Sequence, residues 1–255
     1  MVMGLFDLTG EKAIVTGAAQ GLAKGMAEGL LETGAEVVII DINPKAQDVA
    51  AAYVEQGYKC HAVIANLADR GSLKNGFASA VEILGGHLDI IVNAAGVQKR
   101  HFCEEFPISD WDFVMEVNLN SVFQLCQLAG QQYIKQETGG KIINIASMLS
   151  FFGGYTVPAY AASKGGVMQL TKALSNEWAS KNINVNAIAP GYMATELNTA
   201  IMNDEVRNAE ILARIPAHRW GTPDDLKGIC IFLASKASDY LNGSIIPCDG
   251  GYLAR

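Results

Sequence analysis

Tyr160 and Lys164 stand four residues apart, and Ser147 precedes the tyrosine by thirteen positions. On a helix, residues i and i+4 share a face, so this spacing puts a phenol beside an ammonium group. A neighbouring cation favours the phenolate. Bringing a tyrosine from its ordinary pKa of ~10 to near neutrality takes about 4 kcal/mol of differential stabilisation, within reach of two nearby cations in a partly desolvated site. Such a phenol is a general base matched to neutral pH. A serine hydroxyl in the same site could hydrogen-bond a substrate oxygen and stabilise charge developing on it. Neither signal is specific alone. A tyrosine-lysine pair at this spacing arises easily by chance, and an isolated serine commonly caps a turn. Ser147 closes an apolar run with the pair downstream, and that combination favours chemistry over capping.

A second constellation lies at the other end of the chain. The apolar run Ala13 to Thr16 leads into TGAAQGLA, Thr16 to Ala23, which opens a stretch of helical length. Gly17 and Gly21 let backbone approach a pyrophosphate, and Gln20, Gly21 and Leu22 would present helix-terminal N–H groups to it. A glycine turn by itself is weak evidence, but its place between strand and helix meets the structural condition for a dinucleotide site. Asp41 ends the next apolar run, about 20 residues beyond the turn, where a carboxylate accepts from ribose hydroxyls. It would repel a 2′-phosphate, and Ala18, Ala19 and Ile42 supply no offsetting cation. The expected cofactor is NAD rather than NADP, and its positive nicotinamide is the second cation that Tyr160 needs.

Positioning these groups requires a sheet. Short apolar runs occur at Ala13 to Thr16, Glu36 to Ile40, His61 to Ile64, Asp89 to Val92, Lys141 to Ile145, Asn182 to Ile188 and Ser244 to Pro247. Most are continuous rather than alternating, as for strands covered on both faces. Between them, Gly21 to Thr33, Pro44 to Gln56, Ser109 to Gln136 and Ala159 to Ser180 carry apolar residues at three- and four-residue steps. The alternation predicts an α/β fold, a doubly wound seven-stranded parallel (Rossmann) sheet with helices on both faces. No linker or low-complexity segment divides the chain, so residues 1–255 are expected to form a single domain. The stretch 192–221 breaks the alternation and reads as one or two helices over the sheet edge, either a substrate lid or a plain helical excursion.

A formal net charge of −7 argues against a nucleic-acid partner, which requires clustered Lys and Arg. The five cysteines are odd in number, scattered and without metal-ligand spacing, so no disulfide framework and no metal is expected. The N-terminal residues do not read as a signal peptide, and no apolar run reaches the ~18 residues that span a bilayer. A cytoplasmic protein with a small-molecule substrate and no membrane partner is the expectation.

Further motifs carry a resemblance. NAAG (Asn93 to Gly96) follows the fourth run, VNLNSVF contains Asn118, YAASK runs from Tyr160 to Lys164, and PGYMAT runs from Pro190 to Thr195. In this order over essentially the whole chain they resemble the short-chain dehydrogenase/reductase family. Within it, IINIASMLSFFGG, INVNAIAPGYMATELNT and AEILARIPAHRWGTPDDL are similar to the sugar-acid dehydrogenases described as 2-deoxy-D-gluconate 3-dehydrogenases or 2-dehydro-3-deoxy-D-gluconate 5-dehydrogenases. Gluconate 5-dehydrogenases are somewhat less similar. Ala23, Ala94 and Asn66 depart from the family's usual Gly, Asn and Asp. The resemblance implies a catalytic set of Asn118, Ser147, Tyr160 and Lys164, with Asn118 linking Lys164 to solvent through a bound water. It implies cofactor contacts from Asn66, Leu67, Asn93, Ala94, Gly96, Lys164, Pro190, Gly191, Met193 and Thr195, and a homotetramer joined through the long helices and the last strand. Substrate would meet Ser147, Met148 and Tyr160. Arg100 is the candidate for pairing with a substrate carboxylate, with His101, His218 and Arg219 as alternatives.

Overall fold

The computed structural model describes residues 2–255. Seven strands form one parallel sheet in the order β3-β2-β1-β4-β5-β6-β7. They are β1 (Lys12–Thr16), β2 (Glu36–Asp41), β3 (Cys60–Ile64), β4 (Ile90–Asn93), β5 (Gly140–Ile145), β6 (Ile183–Pro190) and β7 (Ile245–Cys248). The central strands are fully buried, as their unbroken apolar runs require. Pro247, which has no N–H for a ladder, lies in the edge strand β7.

Helices α1 (Gly21–Glu32), α2 (Lys45–Glu55) and α9 (Asp224–Ala234) accompany one face, whose core joins Val15, Leu30, Ile39 and Leu226. The opposite face carries α3 (Arg70–Ile83), α5 (Ser121–Gln136) and α6 (Pro158–Trp178) over Ile14, Leu73, Leu125 and Val185. The chain is a single Rossmann-type domain, and the strand order reverses between β1 and β4, where such sheets open a crevice at the carboxyl ends of their strands.

Two departures from the sequence reading bear on the site. The stretch Ser109 to Gln136 is not one helix. Helix α4 (Ile108–Met115) passes through a π turn, Glu116–Asn120, before α5 begins. The widened turn accommodates an inward Asn118, which is fully buried, and Ser121 Oγ bonds back to the Val117 carbonyl at 2.6 Å. The irregular stretch 192–221 holds a short 3-10 turn, then α7 (Thr199–Met202) and α8 (Glu205–Arg214). Its ends are clasped, with Gly221 N–H donating to Tyr192 O at 2.9 Å and Ala194 N–H donating to Gly221 O at 2.8 Å. Among the described residues no helix is long and apolar enough to cross a membrane.

Candidate active site

A cleft of about 850 Å³ runs across the carboxyl ends of the strands, lined from Gly17 and Asp41 at one end to Tyr155 and Arg214 at the other. Its floor begins at the glycine turn. Gly17 adopts φ +77°, and a Cβ there would lie 2.7 Å from Ala95 Cα, so the β1 turn and the β4 loop fit together only without a side chain. Thr16 joins the same two loops, its Oγ1 accepting from the N–H groups of Ala94 and Ala95 at 3.0 and 3.1 Å. Helix α1 then starts with no side chain capping its first N–H groups and no acidic residue in its first turn. Those bare donors at the cleft wall beside Gln20, Gly21 and Leu22 suit a diphosphate. At the end of β2, Asp41 Oδ2 accepts from Ala19 N–H and Oδ1 from Asn43 N–H, both at 2.9 Å. The carboxylate therefore braces the glycine turn and starts its own loop while still lining the cleft.

Most of the remaining residues expected around a nucleotide also line the wall: Asn66, Leu67, Ala94, Gly96, Pro190, Gly191, Met193 and Thr195. Asn66 Oδ1 caps the N–H of Ala68 at 3.0 Å. Asn93 is different. It is buried behind the wall, its Nδ2 donating to Asn144 Oδ1 at 2.9 Å and to Cys126 Sγ at 3.3 Å, and Asn144 in turn donates to Thr171. Parallel strands β4 and β5 pair these two amides in register inside the sheet, so the Asn93 side chain braces the wall from behind.

Tyr160 and Lys164 lie on the first turns of α6, and Ser147 follows β5 directly. Ser147 Oγ accepts from Leu149 N–H at 3.1 Å, so it does cap a short turn, yet its hydroxyl is also near enough to Tyr160 to favour the phenolate. Ser150 Oγ fastens that turn to α6 by donating to Lys164 O at 2.7 Å. Lys164 Nζ donates to Ile145 O at 2.6 Å and stands 5.6 Å from the centre of the Tyr160 ring. Burial dominates both groups. It holds the Tyr160 hydroxyl above its ordinary value, with the nearby Ser147 hydroxyl pulling it the other way. It pushes Lys164 down to about 8. Lys164 by itself does not acidify the phenol, because the ammonium sits beside the ring and is itself desolvated, so the second cation that the sequence reading called for is needed.

Asn118 is brought to this cluster but not to the cleft wall. Its Oδ1 accepts from Val97 N–H at 2.8 Å and its Nδ2 donates to Val97 O at 2.9 Å, fixing the loop that follows Gly96. A Cβ added at Gly96 would be 3.4 Å from Asn118 Oδ1 and 3.8 Å from Lys164 Nζ, so that bare position lies between the two.

At the far end of the cleft stand Arg100, Met148 and Tyr155 from the β4 and β5 loops and Tyr192 from the β6 loop. The alternatives to Arg100 are committed elsewhere. His101 Nε2 lies 2.8 Å from Asp110, and Arg219 makes two 2.7 Å bonds to Asp225. His218 lies outside the cleft wall. Two arginines that the sequence reading passed over, Arg207 and Arg214, also line this end. Their spacing of seven residues, two turns of one helix, places them on a common face of α8 and was the available signal.

A family model described as enoyl-(acyl carrier protein) reductase matches residues 17–253. The 2-dehydro-3-deoxy-D-gluconate 5-dehydrogenase of Escherichia coli (strain K12) is 49% identical over 255 residues, 100% of both chains. The enzyme of that name from Bacillus subtilis (strain 168) is 45% identical, covering 98% of this chain and 97% of its own. A gluconate 5-dehydrogenase from Burkholderia cenocepacia J2315, solved in complex with NADP and tartrate, superposes with a TM-score of 0.95 at 38% identity over 100% of both chains. With the seven-stranded sheet and the serine, tyrosine and lysine at its carboxyl edge, these likenesses establish that the chain belongs to the short-chain dehydrogenase/reductase family, as an oxidoreductase acting on CH–OH groups.

Proposed function

We propose that this protein oxidises a sugar acid with NAD, passing hydride between nicotinamide and a hydroxyl-bearing carbon of 2-dehydro-3-deoxy-D-gluconate (at C5) or 2-deoxy-D-gluconate (at C3). The observation that carries the reading is the meeting of Ser147, Tyr160 and Lys164 at one end of a cleft whose other end holds an uncapped helix and Asp41. Full-length likeness to 2-dehydro-3-deoxy-D-gluconate 5-dehydrogenases supports the substrate class.

Bound NAD would supply the hydride acceptor and a positive ring. The α1 N-terminus would hold its diphosphate, Asp41 the adenosine ribose, Lys164 the nicotinamide ribose, and Thr195 with Pro190, Gly191 and Met193 the nicotinamide. Tyr160 would take the proton from the substrate hydroxyl. Ser147 would hold the same oxygen and stabilise its charge, and the nicotinamide charge supplies the lowering of the phenol that Lys164 alone does not. Asn118 would keep the loop beside Lys164 in place and, through its main chain, hold a water that returns protons to Lys164.

The Burkholderia cenocepacia relative was solved with NADP. Preference for NAD here rests on Asp41, whose carboxylate would face a 2′-phosphate with no cation among its bonded neighbours. The exposed apolar side chains of α4 and α5, Ile108, Phe123 and Ile134, support a homotetramer, and the five free cysteines support a cytoplasmic location. The clasped segment 192–221 would act as substrate lid.

Reduction of NAD and NADP, followed with a panel of sugar acids and neutral alcohols, tests the reading. Sugar acids with NAD should lead, and Tyr160→Phe should slow turnover by about 10²–10⁴-fold while calorimetry still finds NAD bound. Native turnover by the phenylalanine variant, or a preference for neutral alcohols, overturns it.

A further inference from the structure

Only six arginines occur in this acidic chain, and three of them line the cleft. Arg70 and Arg219 outside it are paired with Glu116 and Asp225. Among the described residues, no carboxylate lies within ion-pair distance of Arg100, Arg207 or Arg214. Arg214 is laid over the Tyr252 ring, 4.7 Å from its centre. Arg100 and Arg207 have no such partner, and they come from separate elements, one on the loop after β4 and one on α8.

The acids that line the cleft lie toward its other end and are already bonded, Asp41 to two backbone N–H groups and Glu196 to Gln20 Nε2 at 3.0 Å. Arg100 is reached by solvent through the cleft yet partly desolvated, and both its burial and the positive charge of Arg207 hold it below its ordinary value. Two neighbouring cations without a counterion repel, and an anion between them converts that repulsion into two attractions. Planar guanidinium forks suit a carboxylate in particular.

Helix α8 packs outside the two main cores. Its apolar side offers Ile211, followed by Ile215, to Met148 and Tyr252 in a small cluster separate from the two main cores. Asn208, next to Arg207, accepts a 2.8 Å bond from Trp220 Nε1, so the helix is tied to the base of its own segment.

Resting on the sugar-acid reading above, we propose that Arg207 is the second arm of a carboxylate clamp whose first arm is Arg100, so that the substrate's own anion draws α8 over the cleft. Specificity for acids over neutral sugars then comes from lid closure as well as from direct pairing. A neutral analogue leaves the two guanidinium groups uncompensated and the segment apart.

The test compares wild type, Arg207→Ala and Arg207→Lys on 2-dehydro-3-deoxy-D-gluconate and on its uncharged amide, with hydrogen exchange followed across residues 199–215. Arg207→Ala should raise KM for the acid about 10- to 100-fold, the range for one charged hydrogen bond lost, with little change for the amide. Arg207→Lys should recover part of the loss. The acid should slow exchange in α8 of the wild type and fail to do so in Arg207→Ala. A wild type that prefers the acid together with an alanine variant that keeps the preference and the protection removes the clamp and leaves the sugar-acid reading standing. A wild type indifferent to the charge removes both.

Discussion

At the scale of single residues, the site is held at a cost to the fold, and Lys164 lets that cost be measured. Burial brings its ammonium from the ordinary 10.5 to about 8. Between those values the unfolded chain keeps a proton that the folded chain has released, so stability rises with pH across that window. Below about 8 both states are protonated and the buried charge costs about 3 kcal/mol. Lys164→Met keeps the apolar stem, removes the charge and loses the charged bond to Ile145 O, worth about 1.5–3 kcal/mol. The cofactor-free variant should therefore be more stable than wild type by up to about 1.5 kcal/mol at pH 7, raising Tm by a few degrees. The advantage should vanish toward pH 10.5 while activity is lost throughout. Denaturant titrations at pH 7 and pH 10 decide it, and a gain that does not shrink with rising pH would show that desolvation is not the cause. Trading stability for a working group is common at active sites, and here one side chain carries the exchange.

At the scale of elements, what could be read from the sequence was whatever is fixed by local pattern. The strands are buried on both faces, so each is a continuous apolar run bounded by polar loops, and the termini of β1, β2 and β5 follow from Thr16, Asp41 and Ile145. Residues whose role depends on one neighbour in sequence, Tyr160 with Lys164 or Gly17 before a helix, were equally legible. Those defined by partners far along the chain were not. Asn93 belongs to a sheet-spanning amide pair with Asn144, 51 residues on, and no local pattern announces that pairing. The π turn at Glu116–Asn120 leaves the periodicity of its flanks intact and so escapes a pattern search. Arg207 and Arg214 read as ordinary charges on an exposed helix until the fold turns that helix toward Arg100. The bond between Asn208 and Trp220 should matter in the same nonlocal way. Asn208→Ala leaves an indole N–H in a part-buried place without its acceptor, a loss of about 1–2 kcal/mol felt mainly by α8. KM for the substrate should rise several-fold with NAD affinity unchanged, as read by steady-state kinetics beside calorimetry. A matching loss of NAD affinity would mean that the segment braces the whole cleft and does not act as its lid.

At the scale of the whole molecule, the exterior carries its own instruction. Phe123 and Ile134 are both exposed large apolar residues of α5, and eleven helical steps of ~100° bring them back to within about 20° of one another. Ile108 adds to the apolar exterior on the preceding helix α4. Single exposed apolar residues need no explanation, but a contiguous set marks an association surface. A chain carrying a net charge of −7 repels its copies at long range, so any association must come from short-range apolar contact that outweighs a screened repulsion. Two consequences separate this account from an electrostatic one. Phe123→Glu should convert the proposed tetramer to smaller species in sedimentation velocity, with far-UV circular dichroism unchanged because the side chain belongs to neither buried core. Raising the salt concentration should strengthen the wild-type assembly rather than dissolve it. An assembly that survives the glutamate, or that falls apart in salt, would place the subunit contacts on some other face of the molecule.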